Sequence, residues 1–188
     1  MGGGSGGGFS SGSSSSVDMK WDTGKIGHGI QVSNNSRSIY LKENAYMFRT
    51  AITDKAMTGG IHYYEIQADP RTENELKIGI ATKNQFHYDT SFSDYDFGFA
   101  YYGLGQLRHG SNSIGAPYGK KFKNNGTLGM AVDMNKGTLS FGMNGEFWGI
   151  AYQSDLIKKG PVYIAVSLLH HAGCTVVSGK SLPNYFKL

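Results

Sequence analysis

Cysteine is almost absent from these 188 residues. Cys174 stands alone, which excludes an internal disulfide framework and makes a reducing, cytoplasmic compartment the expected setting. Charge is thin as well. Asp, Glu, Lys and Arg make up 17% of the chain and the net charge is +4, well short of a polybasic nucleic-acid arm or membrane anchor. No run approaches 18 apolar residues, so no membrane-spanning helix and no membrane partner are expected. The first residues carry neither the positive region nor the apolar region of a secretory signal, so the chain is read as not secreted. Met1-Gly2 invites myristoylation, but Gly6 stands where that motif needs Ser or Thr. Without secretion, the sequons at Asn34-Asn35-Ser36 and Asn125-Gly126-Thr127 read as turn residues.

Glycine and aromatics are plentiful. There are 28 Gly, 12 Tyr and 10 Phe, a mixture that points to strands joined by many turns. Residues 1–16 hold seven Gly and seven Ser and read as a flexible leader; residues 17–188 read as one domain. The leader contains Gly8-Phe9-Ser10-Ser11-Gly12, a formal match to a nucleophile elbow, but no strand precedes it and no helix follows.

From Ile30 onward the dominant period is two. Ile30 and Val32, Ile39 and Leu41, then Tyr46, Phe48 and Thr50 alternate with their neighbours. So do Leu76, Ile78 and Ile80, then Phe97, Phe99 and Tyr101. Leu128, Met130 and Val132 follow, then Leu139, Phe141 and Met143, and last Val162, Ile164, Val166 and Leu168. Such runs describe half-buried antiparallel strands. Asn144-Gly145 lies between two of them and supplies the two positive φ angles of a type I′ hairpin turn. Asn135-Lys136-Gly137 and Asn125-Gly126 read as further tight turns. One short helical turn fits Ser154–Lys159, capped by Ser154 and stopped by Gly160-Pro161. The expected fold class is therefore all-β, a two-sheet antiparallel sandwich.

The chemistry-bearing patterns are weak. His170, His171 and Cys174 supply too few convergent ligands for tetrahedral zinc, so no metal is expected. Cys174 reads as a small buried hydrophobe, not a nucleophile. Gly179-Lys180-Ser181 ends like a P-loop, but Gly173 is one residue too far upstream; Gly103-Leu104-Gly105 lacks a third glycine and a βαβ unit. No cofactor and no small-molecule substrate follow. Glu73 and Glu75 read as solvated loop carboxylates beside Arg71 and Lys77. Lys120-Lys121-Phe122-Lys123 interleaves cations with a ring, as single-strand binding requires, yet the footprint is small and nucleic acid is an outside alternative. The connections are more telling. Rings crowd Phe86–Phe92, the Tyr101–Arg108 segment carries Tyr, Leu and Arg among glycines, and Leu168–His171 closes a strand. Tyr88, Tyr102, Leu104, Arg108, Leu169 and His170 are expected to be exposed and to bind a partner.

Several segments resemble, in order, the strand motifs of SPRY (B30.2-like) domains. Gly59-Gly60-Ile61-His62-Tyr63-Tyr64-Glu65-Ile66 is similar to one strand and Leu76-Lys77-Ile78-Gly79-Ile80-Ala81 to the next. Tyr95–Gly103, Ala116-Pro117-Tyr118-Gly119, Leu128–Asp133, Gly137–Phe141 with Asn144-Gly145, Gly149–Tyr152 and Pro161–Leu168 complete the set. The resemblance spans about Ile30–Val177 and is nearest to the Ran-binding-protein-M type. Asn125-Gly126 replaces an acidic family position, Val177-Ser178-Gly179-Lys180 replaces the last strand motif, and Pro183–Leu188 has no counterpart. What the resemblance implies is a bent, concanavalin-like jelly-roll sandwich that catalyses nothing and binds a protein or peptide through loops at one end. It adds Asn35 and Arg37 to the binding set and turns Phe122 toward the core. No RING, SOCS-box or LisH segment is recognisable. The expectation is therefore a standing subunit of a larger assembly, cytoskeletal or ciliary among the candidates. A transient adaptor of a ubiquitin-ligase or signalling complex is the alternative.

Overall fold

The computed structural model describes residues 17–188 except Ala45, so the Gly/Ser leader lies outside the described residues. Thirteen strands and one short α-helix follow in order, with a single 3-10 turn at Phe92–Asp94. They are β1 (Trp21–Ile26), β2 (Ile30–Ser33), β3 (Ser38–Leu41), β4 (Arg49–Thr53), β5 (Ile61–Ala68), β6 (Lys77–Ala81) and β7 (Gly98–Tyr102). Then come β8 (Gln106–His109), β9 (Thr127–Asp133), β10 (Thr138–Met143), β11 (Glu146–Gln153), α1 (Asp155–Lys159), β12 (Tyr163–Leu168) and β13 (Ala172–Val177). They form two antiparallel sheets, ordered β1-β4-β12-β6-β7-β8 and β11-β10-β9-β5-β13-β3-β2.

The period-two runs become the facing surfaces. Ile78, Ile80, Phe99, Tyr101, Ile164 and Val166 of the six-stranded sheet share one buried cluster with Tyr64, Ile66, Met130, Val132, Phe141 and Cys174 of the seven-stranded one. Phe122 joins this cluster, as the family pattern implies. Asn144 and Gly145 take φ of 54° and 78° between β10 and β11, the conformation of a type I′ turn. Ser154 caps α1 by accepting from the Leu156 amide, and Gly160 ends it.

Two strands depart from the sequence reading. β1 was not anticipated, because only Trp21 and Ile26 of its six residues are apolar and β1 is a sheet edge. The segment read as a Tyr101–Arg108 connection is instead a hairpin, β7 paired with β8 around Gly103–Gly105.

Both outer faces carry a second layer. On the seven-stranded sheet, Phe186 packs edge-on against Tyr63 at 5.4 Å, with Phe147, Leu182, Tyr185 and Leu188 around it. The C-terminal segment without a family counterpart is thus a strap over that face. On the six-stranded sheet, Phe92 and Phe97 join Ile52, Ala81, Ala100 and Ala165, with Phe86, Tyr88 and Tyr95 packed against them. The outward residues of that sheet are small where the loop crosses, and Gly98 has no room for a side chain beside the Phe92 carbonyl.

Candidate functional site

The register places one polar row across the outer face of the six-stranded sheet. Thr50 on β4 pairs with Ser167 on β12, Ser167 with Lys77 on β6, Lys77 with Tyr102 on β7, and Tyr102 with Gln106 on β8. The row anchors the loop above it. Thr50 Oγ1 lies 2.7 Å from Ser167 Oγ and donates to the Thr90 carbonyl at 2.6 Å. The Phe92 amide donates to Ser167 Oγ at 3.1 Å, and Ser91 and Ser93 hydroxyls meet at 2.9 Å. Buried hydroxyls find partners here, so the loop is held by hydrogen bonds as well as by its rings.

Past the end of this layer a cavity of about 390 Å³ opens. Lys77, Tyr102 and Arg108 rise from the sheet, Ser91 and Asp94 come from the loop, and Tyr46, Met47 and Phe48 supply the wall before β4. Lys77 is only 3% exposed. Its Nζ donates to Ser91 Oγ at 3.1 Å and lies 4.3 Å from the centre of the Phe48 ring and 5.4 Å from that of Tyr102. Burial pushes its pKa down to about 8; Asp94 works against that shift and Arg108 adds to it. Arg108 is 8% exposed, with its guanidinium carbon 5.3 Å from the Tyr102 ring centre. Its Nη1 donates to the Asn112 and Ser113 carbonyls and its Nη2 to Gln106 Oε1, while buried Nε has no partner. Burial also raises the Tyr102 pKa.

The cavity brings together Tyr102 and Arg108 of the residues expected to bind. His170 stands beside it, its ring 4.8 Å from that of Tyr46, and Leu104 is 39% exposed in the adjoining β7–β8 turn. Leu169 is half-buried in the β12–β13 connection. Tyr88 belongs to the loop layer, where its ring packs on Phe86 and its hydroxyl donates to the Asn84 carbonyl. Asn35 and Arg37 do not line this cavity. Asn35 sits exposed in the β2–β3 turn, and Arg37 pairs with Asp18 at 2.5 Å, tying that turn to the chain before β1.

Two expectations need correction. Arg108 is buried, not exposed, because β8 lays it along the sheet face and the carbonyls of the following loop close over its guanidinium. Lys77, on the polar face of its strand and grouped with the solvated charges near Glu73 and Glu75, is instead buried and faces the loop layer. Lys77, Phe48, Ser91 and Asp94 are the site residues that sequence reasoning missed. The available signal was a lysine on the same strand face as Gly79 and Ala81, between Leu76 and Ile78. Elsewhere, His170 and His171 rings lie 5.6 Å apart while Cys174 is sealed in the core, its thiol pKa pushed up by burial. Among the described residues no three His, Cys, Asp or Glu side chains gather as a metal site. No helix there is long and apolar enough to cross a membrane.

A pair of antiparallel sheets with a loop-built cavity at one margin defines an all-β two-sheet sandwich. The comparisons place it more closely. The SPRY domain family model matches residues 61–181, and the chain belongs to that family. Among solved structures it is similar to the SPRY domain of human HERC1, with a TM-score of 0.67 and 16% identity over 85% of this chain and 98% of that one. The TRIM65 PSpry domain gives a TM-score of 0.67 and 13% identity, covering 87% of this chain and 90% of that one. Stonustoxin gives 0.62 and 16%, covering 86% of this chain and 27% of that one. Among curated proteins, a probable ATP-dependent RNA helicase, ddx1, from Dictyostelium discoideum is 31% identical over 114 residues. That match takes in 61% of this chain but only 14% of the helicase. SPRY domains are generally non-catalytic modules of protein–protein interaction.

Proposed function

We propose that this chain is a non-catalytic module that binds a segment of a partner protein in the cavity between Phe48, Lys77, Tyr102 and Arg108. One observation carries the reading: two buried cations and a set of rings converge on an open cavity at the margin of a rigid sheet, where no catalytic group is needed to explain them. Aromatic and arginine side chains set in a pocket are the residues that carry most binding energy at interfaces. The family's general role as an interaction module supports the same conclusion.

The surface favours a reversible adaptor over a standing subunit. A permanent assembly needs a broad apolar face. Of the exposed large apolar residues, Tyr46 and Met47 adjoin each other on the cavity wall while Ile114, Ile150 and Leu156 lie apart in the chain, and the cavity itself is partly polar. The cytoskeletal or ciliary subunit remains the second reading, with a cytoplasmic setting common to both. A nucleic-acid role gains little from the helicase relative. Phe122 is buried at 2% exposure and unavailable for stacking, and Lys120 is engaged by Glu146 at 2.7 Å.

Affinity capture from the native source at low and high salt tests this. The wild type is compared with Tyr102→Ala, with Arg37→Ala, and with a chain lacking residues 1–16. Loss of a partner with Tyr102→Ala alone supports the cavity. Loss with Arg37→Ala or with the leader deletion, but not with Tyr102→Ala, overturns it. A stoichiometric partner that survives high salt would return weight to the standing subunit.

A further inference from the structure

We propose that the cavity takes one side-chain carboxylate, aspartate or glutamate, from an extended segment of the partner, held between Lys77 and Arg108. The proposal rests on the docking reading above and names its chemistry. Its basis is an unbalanced charge. None of the ion pairs among the described residues includes Lys77 or Arg108. Yet both are more than nine-tenths buried, and both line the same cavity. Burying a charge is costly unless an opposite charge meets it. Burial lowers the Lys77 pKa, Asp94 offsets only part of that cost, and Arg108 adds to it.

Arg108 has a structural duty, since its Nη1 and Nη2 hold the Asn112 and Ser113 carbonyls and Gln106. Lys77 has much less of one. It makes a single hydrogen bond, to Ser91, whose hydroxyl already has Ser93 as a partner. A methionine would fill the same space against Phe48 and Tyr102 without the charge. The ammonium is therefore explained by what enters the cavity. Two of its three hydrogens remain for a ligand, and Arg108, lining the same cavity, keeps one Nη2 hydrogen.

The rim sets the charge of the occupant. Asp94 lines the cavity and holds the Thr90 hydroxyl at 3.2 Å. Two cations less one carboxylate leave a single net positive charge, which matches a carboxylate and not a phosphoryl dianion. Phe48, Tyr102, Tyr46 and Met47 form the apolar side of the same cavity, so an apolar residue next to the acid would have a seat. A volume of about 390 Å³ accommodates an acidic side chain with one neighbour.

The test is selection of ten-residue peptides from a random phage-displayed library on the full chain, on Lys77→Met and on Tyr102→Ala. Peptides kept by the wild type and lost on Tyr102→Ala are expected to share an Asp or Glu beside an apolar residue. In a synthetic copy, the Asp→Asn change is expected to weaken binding about ten- to a hundredfold on the wild type and little on Lys77→Met. An unchanged urea midpoint, or a higher one, shows that Lys77→Met is folded. Peptides that need Tyr102 but carry no acid, or an Asp→Asn effect equally large on Lys77→Met, overturn the carboxylate and leave the docking site standing. A phosphoserine copy that binds more tightly than the aspartate peptide overturns the choice of a monoanion. A library with no Tyr102-dependent peptide counts against both readings.

Discussion

Replacing Lys77 by methionine is expected to make the fold more stable, not less. In the unfolded chain the lysine titrates near its ordinary value of 10.5; in the folded protein it titrates near 8. At pH 7 it is charged in both states, so the fold carries the cost of burying it. Each pKa unit corresponds to ~1.4 kcal/mol, which sets an upper limit of about 3 kcal/mol. Solvent at the cavity mouth reduces that figure, and methionine gives up the hydrogen bond to Ser91, a loss of about 1 kcal/mol. The attraction to the Phe48 ring, about 1 kcal/mol, is lost too. A net gain of at most about 1 kcal/mol at pH 7 remains. The sign with pH is fixed by the direction of the shift. Between about pH 8 and 10.5 the folded lysine is neutral while the unfolded one is still protonated, so wild-type stability gains on the variant as pH rises through this window. Urea unfolding of both proteins at pH 7 and at steps up to 10 measures the difference. A variant less stable than wild type by 1 kcal/mol or more at pH 7, or a gap that does not change with pH, would refute the claim that Lys77 is an uncompensated buried charge.

Gly98→Ala should destabilise the fold by roughly 2 kcal/mol, because a Cβ there meets the Phe92 carbonyl and lifts the loop layer from the sheet; chemical denaturation and the near-ultraviolet signal of the loop rings report it. Phe186→Ala should cost about 3 kcal/mol through loss of the strap against Tyr63 and Phe147, read as a lower urea midpoint. Cys174 should resist a thiol reagent at pH 8 in the native protein and react at once in denaturant, since burial holds the thiol neutral and out of reach; prompt labelling of the native chain would contradict its place in the core.

The strand faces that meet in the core are legible in the sequence because apolar side chains recur at alternate positions, as in Ile78 and Ile80 or Met130 and Val132. The Asn144-Gly145 turn and the Ser154 cap are legible for a different reason, since each needs a particular local backbone or side-chain acceptor. The outer layers are harder to see. Alternation marks the second face of a strand as not apolar, and Gly79, Ala81 and Ala100 look the same whether water or a loop covers them. Only the cross-strand register brings Lys77 beside Tyr102 and Ser167, and Arg108 beside Ala100. The candidate site was therefore half legible: Tyr102 and Arg108 stood out by residue type, while Lys77, Phe48 and Ser91 depend on pairings between segments far apart in the chain. Asn35 and Arg37 lie elsewhere because the β2–β3 turn belongs to the other sheet.

Photo-cross-linking tests the docking site most directly. A benzoylphenylalanine is placed at Met47, exposed at the mouth of the cavity, and in a second chain at Ile150, exposed on β11. Each chain is irradiated in an extract of the native source, with and without Tyr102→Ala. The account predicts a discrete adduct from position 47 that Tyr102→Ala abolishes, and none from position 150. A discrete adduct from position 150, or one from position 47 that Tyr102→Ala leaves unchanged, would contradict it.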